Sequence, residues 1–296
     1  MNIKSTSSHK NQEPESGFLY IVATPIGNLN DISYRAINIL KKVSLIACED
    51  TRQTKKILSK FEFSNDLISF NKHNSFNKIS RIINDLKDGK SIALVSDAGM
   101  PSICDPGEDL VKEVRFNELN IICIPGPCAA ITALVSSGLP SSKFNFEGFL
   151  PKKKSEREKL LLNISKNDKT TILYESPHRL QNLLTQLKEF CGGEREIQVF
   201  RELTKKYEEH IGDNICEVLE NIEGKEIMGE ITVVIKGINK GDKTLDFDKY
   251  ELKKDLNELI EAGLSLSAAS RYLAKKSNLT KNIIYNLDKS LMYESK

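Results

Sequence analysis

No charge of either sign dominates this chain. Its 43 lysines and arginines face 41 acids across 296 residues, a net of +2. Global charge therefore does not announce a nucleic-acid binder, and any basic surface must be local. No apolar run approaches the roughly 18 residues that a membrane-spanning helix needs. Met1 to Ser16 lacks the apolar core of a secretory signal and contains Glu13 and Glu15. It reads as a disordered tail on a cytoplasmic protein without a membrane partner. Cys48, Cys104, Cys123, Cys128, Cys191 and Cys216 form no C-x-x-C pair. A reduced chain with buried thiols fits better than a disulfide framework or a zinc site. Repeats and low-complexity tracts are also missing. What remains is an ordinary globular composition, long enough for two core-bearing domains plus a small appendage.

The first half alternates short apolar runs with helix-period segments. Strands are expected at Phe18–Ala23, Leu45–Ala47, Leu67–Phe70, Ile92–Val95 and Ile121–Ile124. Helices are expected between them, at Ser33–Lys42, Thr51–Lys60, Ser75–Lys87 and Gly107–Phe116. Such alternation argues for parallel strands with crossover helices. Cys128–Ser137 is small and apolar nearly all round, so a buried helix is expected there, closed by Gly138-Leu139-Pro140.

The second half has a different rhythm. Strands are expected at Phe144–Leu150, Thr170–Tyr174, Ile197–Phe200 and Glu226–Lys236. Helices are expected at Lys152–Ser165, from Pro177 onward, and at Glu208–Ile222. This reads as a second α/β domain with a mixed sheet. The expected organisation is a tail (1–16), two α/β domains (17–126 and 127–237), a linker (238–248) and a helical module (249–296). In that module, Tyr250–Ala262, Ser267–Lys276 and Lys281–Leu291 give a helix-turn-helix-like pattern, equally consistent with a packed helical cap.

The chemistry concentrates in loops after strands, where open α/β sheets bind ligands. The loop Ser96-Asp97-Ala98-Gly99-Met100-Pro101-Ser102-Ile103-Cys104-Asp105-Pro106-Gly107 holds two each of Asp, Gly and Pro. Punctuation this dense fixes a tight loop with backbone open to a ligand. The first loop, Thr24-Pro25-Ile26-Gly27-Asn28, has one glycine where a dinucleotide fingerprint needs three. Glu49-Asp50 sits where a ribose-binding acid would, but the missing glycines argue against a nicotinamide dehydrogenase and against Rossmann-type methyltransferases. Glu175-Ser176-Pro177-His178-Arg179 joins a carboxylate at a strand end to His and Arg at a helix start, a setting that favours anions. Phe200-Arg201-Glu202-Leu203-Thr204-Lys205 and Lys152-Lys153-Lys154 with Arg157 are either solvated charge runs or contacts to an RNA backbone.

Taken together, eight motifs occur in a fixed order: Ala23–Leu29, Cys48-Glu49-Asp50-Thr51-Arg52, Ser96–Gly107, Ile124-Pro125-Gly126-Pro127, Ser137-Gly138-Leu139-Pro140, Glu175–Arg179, Arg201–Lys205 and Gly229-Glu230. In that order they closely resemble the tetrapyrrole (corrin/porphyrin) methylase superfamily, and within it the bacterial enzymes that methylate small-subunit ribosomal RNA. The resemblance covers about residues 17–237, and the C-terminal module is similar to one found in many members.

The resemblance implies a two-domain tetrapyrrole-methylase-like fold, S-adenosylmethionine as cofactor, no essential metal, and a homodimer. It implies methylation of the ribose 2′-hydroxyl of a cytidine in the decoding region of 16S rRNA. The cofactor-binding residues it implies are Pro25, Val95, Ser96, Asp97, Met100, Ile103, Cys128, Ala129, Tyr174, Leu203, Gly229, Glu230 and Ile231. A ribose hydroxyl needs a base or a stabilising cation, for which Glu175, His178, Lys205 and Glu202 are candidates. Arg35, Arg52, Arg179, Arg201, Lys152 and Lys153 are expected to contact RNA phosphates. The competing expectations are a C-methyltransferase acting on a tetrapyrrole (a precorrin or porphyrin) and an RNA-binding assembly factor without catalysis.

Overall fold

A computed structural model describes residues 13–71, 74–238, 245–277, 281 and 284–285. It divides into two compact units. The first runs to Ser136 and takes in Phe200–Glu209; the second comprises Ser137–Val199 and the chain from His210.

In the first unit, five strands form one parallel sheet: β1 (Phe18–Val22), β2 (Leu45–Cys48), β3 (Leu67–Ser69), β4 (Ile92–Val95) and β5 (Asn120–Ile124), in the order β3-β2-β4-β1-β5. Helices α1 (Tyr34–Lys42), α2 (Thr51–Lys60), α3 (Ser75–Lys87) and α4 (Glu108–Phe116) connect them, and α5 (Ala129–Ser136) follows β5. Every residue of β2 and β4 is buried, as strands covered on both faces require. The pleat divides their side chains by alternation. Tyr20, Val22, Ile46 and Ala93 pack on one face, and Leu19, Leu45, Ala47 and Leu94 on the other. Helix starts are fixed locally: Ser33 accepts the Ala36 N–H at 3.1 Å, and Asp50 accepts that of Arg52 at 2.8 Å.

The second sheet contains β6 (Phe144–Phe149), β7 (Thr170–Glu175), β8 (Glu196–Arg201), β9 (Glu209–Asn214) and β10 (Ile231–Ile235), in the order β6-β7-β10-β8-β9. It is mixed: β6 runs parallel to β7, and β10 antiparallel. Helices α6 (Lys154–Lys166), α7 (Pro177–Cys191) and α8 (Ile215–Ile222) belong with it. Pro177 opens α7 as a first-turn proline, and Gly192, at φ 83°, ends it. In the C-terminal module, α9 (Leu245–Glu261) and α10 (Leu266–Ser277) close on a small core of Leu252, Leu256, Ala269, Leu273 and Ile284.

The α/β architecture with a helical C-terminal module agrees with the sequence reading, and several segments differ from it. Glu208–Ile222 is not one helix. Its first half is strand β9, an edge strand held to β8 by the Arg201–Glu209 ion pair at 2.7 Å. Asn214 then caps α8 by accepting the Glu217 N–H at 3.0 Å. Glu226–Lys236 is strand only from Ile231, because Gly229 turns the chain at φ 94°. Helix α5 is not buried all round, since Ile131 and Val135 are exposed on one side. Cys48 and Cys191 are buried, but Cys104 and Cys123 are exposed. Cys104 lies in an irregular loop, and Cys123 on the edge strand β5. Helix α9 starts at Leu245, inside the expected linker. Most of the expected helix Lys281–Leu291 lies outside the described residues.

Gly126 shows how tightly the strand ends are packed. A Cβ there would lie 2.7 Å from the Cβ of Ala23. Gly126→Ala is expected to lower unfolding stability by about 1–3 kcal/mol, through overpacking, in urea titration.

Candidate active site

In the first unit the loops after β1, β4 and β5 converge. Thr24 and Gly99 exchange backbone hydrogen bonds at 2.9 and 3.1 Å. The Thr24 hydroxyl donates to the Ser96 carbonyl at 3.2 Å, and the Ser96 hydroxyl lies 3.3 Å from the carbonyls of Ala98 and Gly99. A Cβ on Gly99 would touch Ile26 of the first loop and lie 3.6 Å from the Pro127 carbonyl of the third. Pro25, Val95, Ser96, Asp97, Met100, Ile103, Cys128 and Ala129 are thus carried on interlocked loops at the carboxyl ends of parallel strands.

Asp97 accepts the Asp50 N–H at 2.9 Å. Partial burial pushes its carboxyl above the ordinary value, against the pull of that hydrogen bond. Asp50 is opposite in behaviour. Bonds from the Arg52 guanidinium and backbone hold it down at about 2. The loop beyond Met100 is strained: Ser102 and Cys104 have φ of 70° and 65°. The Ser102 hydroxyl is buried without a hydrogen-bond partner. Gly107 permits this, because a Cβ there would fall 2.3 Å from that oxygen.

The connection between β8 and β9 also belongs to this unit. Leu203 is buried, between Glu202 and Thr204 at φ 53° and 67°. The Asn28 N–H donates to the Thr204 hydroxyl at 3.1 Å, and Gly27 leaves room for this approach: a Cβ there would sit 2.4 Å from Lys205 Cγ. Leu203 is thereby joined to the Pro25 loop. The Lys205 ammonium lies 2.8 Å from Glu202.

In the second unit, the register of β7 and β10 places Ile231 opposite Glu175, and Thr232 opposite Tyr174. Gly229 and Glu230 lead into β10. The Tyr174 ring meets Phe146 and Phe149 edge-on, at 5.1 and 5.7 Å. Glu175 is fully buried. It accepts from the Ser176 N–H at 2.8 Å and from Arg179 at 2.6 Å, and Arg157 lies 3.8 Å away. Arg157 is itself buried and donates to Gln186 at 2.6 Å; burial lowers its pKa. His178 stands exposed in the first turn of α7.

The cations expected on RNA are mostly engaged with acids. Arg35 pairs with Glu13, Arg52 with Asp50, Arg179 with Glu175, Arg201 with Glu209, and Lys153 with Glu156. Lys152 is exposed. Sequence reasoning missed two residues. Thr24 was readable only as a polar residue between an apolar strand and Pro25. Arg157 looked like part of a basic run, yet its spacing with Leu161 and Ile164 (i, i+4, i+7) puts it on the buried face of α6.

Residues 18–218 match the tetrapyrrole (corrin/porphyrin) methylases. A ribosomal RNA small subunit methyltransferase I from Synechocystis is 42% identical over 275 residues, covering 93% of this chain and 98% of that protein. That from Vibrio cholerae is 43% identical over 270 residues, covering 90% and 92%. This chain belongs to the small subunit methyltransferase I family. The solved structures that this chain resembles share its fold. A cobalt precorrin-4 methyltransferase aligns with TM-score 0.57 at 12% identity, over 74% of this chain and 95% of that one. A uroporphyrin-III C-methyltransferase from Thermus thermophilus, complexed with S-adenosyl homocysteine, aligns with TM-score 0.52 at 13% identity, over 73% and 96%.

These charges give two expected outcomes. Glu175→Gln strips a buried partner from two guanidinium groups. It should cost about 3–5 kcal/mol of stability in chemical denaturation. Because the Asp50 carboxyl is depressed, the stabilisation it brings is complete above its ordinary value near 3.8 and is lost as pH falls through about 2. Arg52→Ala should move that titration back toward 3.8, read by carboxyl-carbon NMR.

Proposed function

We propose that this chain uses S-adenosylmethionine to methylate the ribose 2′-hydroxyl of a cytidine in the decoding region of 16S rRNA, acting as a cytoplasmic homodimer. The observation that carries the reading is the 42% identity spanning 98% of a small subunit methyltransferase I. The first unit's loops suit the cofactor. They offer an orphan buried hydroxyl at Ser102, a carboxylate at Asp97, and apolar Met100 and Ile103 beside them. S-adenosylmethionine supplies an electrophilic methyl group on a sulfonium. Pro25, Val95, Ser96, Asp97, Met100, Ile103, Cys128, Ala129 and Leu203 would hold it from the first unit. Tyr174, Gly229, Glu230 and Ile231 are the other cofactor contacts we propose.

The ribose hydroxyl must lose its proton as its oxygen gains the methyl group. Glu175, His178, Lys205 and Glu202 are the candidate groups. Glu175 is spoken for by two guanidiniums, so we assign it the task of positioning Arg157 and Arg179; we assign the proton to His178, and to the Lys205 ammonium, paired with Glu202, the stabilisation of the oxygen as its charge develops. Arginines that already hold a carboxylate keep further N–H donors for phosphate.

The test is incubation of the protein with labelled S-adenosylmethionine and small ribosomal subunits, then nucleoside mass spectrometry of the 16S rRNA. Label on 2′-O-methylcytidine is expected. Label on a base, or transfer only to an added precorrin, overturns the proposal. In calorimetry, Asp97→Ala should bind cofactor about tenfold or more weakly, as loss of a charged hydrogen bond predicts, with the fold intact by circular dichroism. Wild-type affinity in that variant would remove Asp97 from the site.

A further inference from the structure

The C-terminal module holds a surface that the proposed chemistry does not use. Helix α10 contains no acidic residue. One arc of it is spent on packing: Leu266, Ala269, Ser270 and Leu273 turn inward against α9. The rest carries Arg271, Tyr272, Lys275 and Lys276, all exposed. Arg271 and Lys275 are one turn apart, as are Tyr272 and Lys276, so the four form two adjacent columns of one strip. Lys276 is partly neutralised by Asp255 at 3.5 Å. No carboxylate among the described residues pairs with Arg271 or Lys275. Tyr272 is 58% exposed, with neither burial nor a ring partner to account for an aromatic residue there.

Unpaired cations flanking an exposed aromatic ring are what a single-stranded nucleic-acid backbone with unstacked bases recognises. The cations take phosphates, and the ring takes a base face. The module is not a free appendage, since α9 packs on α7, the helix whose first turn carries His178 and Arg179. We propose that α10 is an RNA-contacting helix, with Arg271 and Lys275 on phosphates and Tyr272 stacked on a base of the small-subunit RNA. This rests on the rRNA methyltransferase reading above.

The test uses full-length protein and intact small subunits. Replacing both cations (R271Q with K275Q) should weaken binding and shrink the slope of log affinity against log salt by about 1.4, about 0.7 for each lost phosphate contact on a single strand. Y272A should weaken binding about tenfold with the slope unchanged, as loss of one stacked base predicts. A photoreactive residue in place of Tyr272 should cross-link to rRNA. Cofactor binding and melting temperature should match wild type in all variants. Unchanged affinity and slope overturn the assignment, as does a cross-link to a ribosomal protein, which would make the strip a protein-docking surface. Failure of the wild-type protein to methylate small subunits would instead strike the underlying reading.

Discussion

The first unit's site depends on one small exchange, the pair of backbone hydrogen bonds between Thr24 and Gly99. They tie the loop after β1 to the loop after β4, and the Thr24 hydroxyl reaches the Ser96 carbonyl. Buried backbone groups must be paired, so these loops cannot drift apart without leaving donors and acceptors orphaned. Asp97 is held where it can take the Asp50 N–H, and Met100 and Ile103 follow on a chain whose direction is already fixed. Rigid positioning of this kind is what an in-line transfer needs, because ångström errors in alignment cost rate steeply.

The second unit organises its end of the sheet with charge. Glu175 sits fully buried among Arg157, Arg179 and the Ser176 N–H. Buried ion pairs rarely add net stability, since desolvation offsets the attraction. Their consequence here is geometric. Arg179 is fastened to the end of β7 and to the Ser176 hydroxyl at 3.0 Å, so the first turn of α7 has little freedom.

Strain gathers in the same places. Of the seven described non-glycine residues with positive φ, four (Ser102, Cys104, Glu202 and Thr204) lie on loops of the candidate site; Glu62, Glu118 and Asp213 lie elsewhere. Such conformations persist only where surrounding contacts over-determine them. Gly27 and Gly107 supply that determination by letting Thr204, Lys205 and Ser102 approach closer than any side chain would allow.

The sequence by itself determined the alternation of strand and helix, the parallel first sheet, and the tight loops that follow its strands. Those features rest on local signals: apolar runs, caps, and the density of Gly and Pro after each strand. It could not determine that Glu209–Asn214 is a strand, because that strand exists only by pairing with β8 and has no apolar face of its own. Nor could it place Arg157 beside Glu175, or bring Leu203 to Gly27 across more than 170 residues of chain. Pairing register, buried charge partners and close backbone approach are set by packing between distant segments, which only the tertiary structure decided.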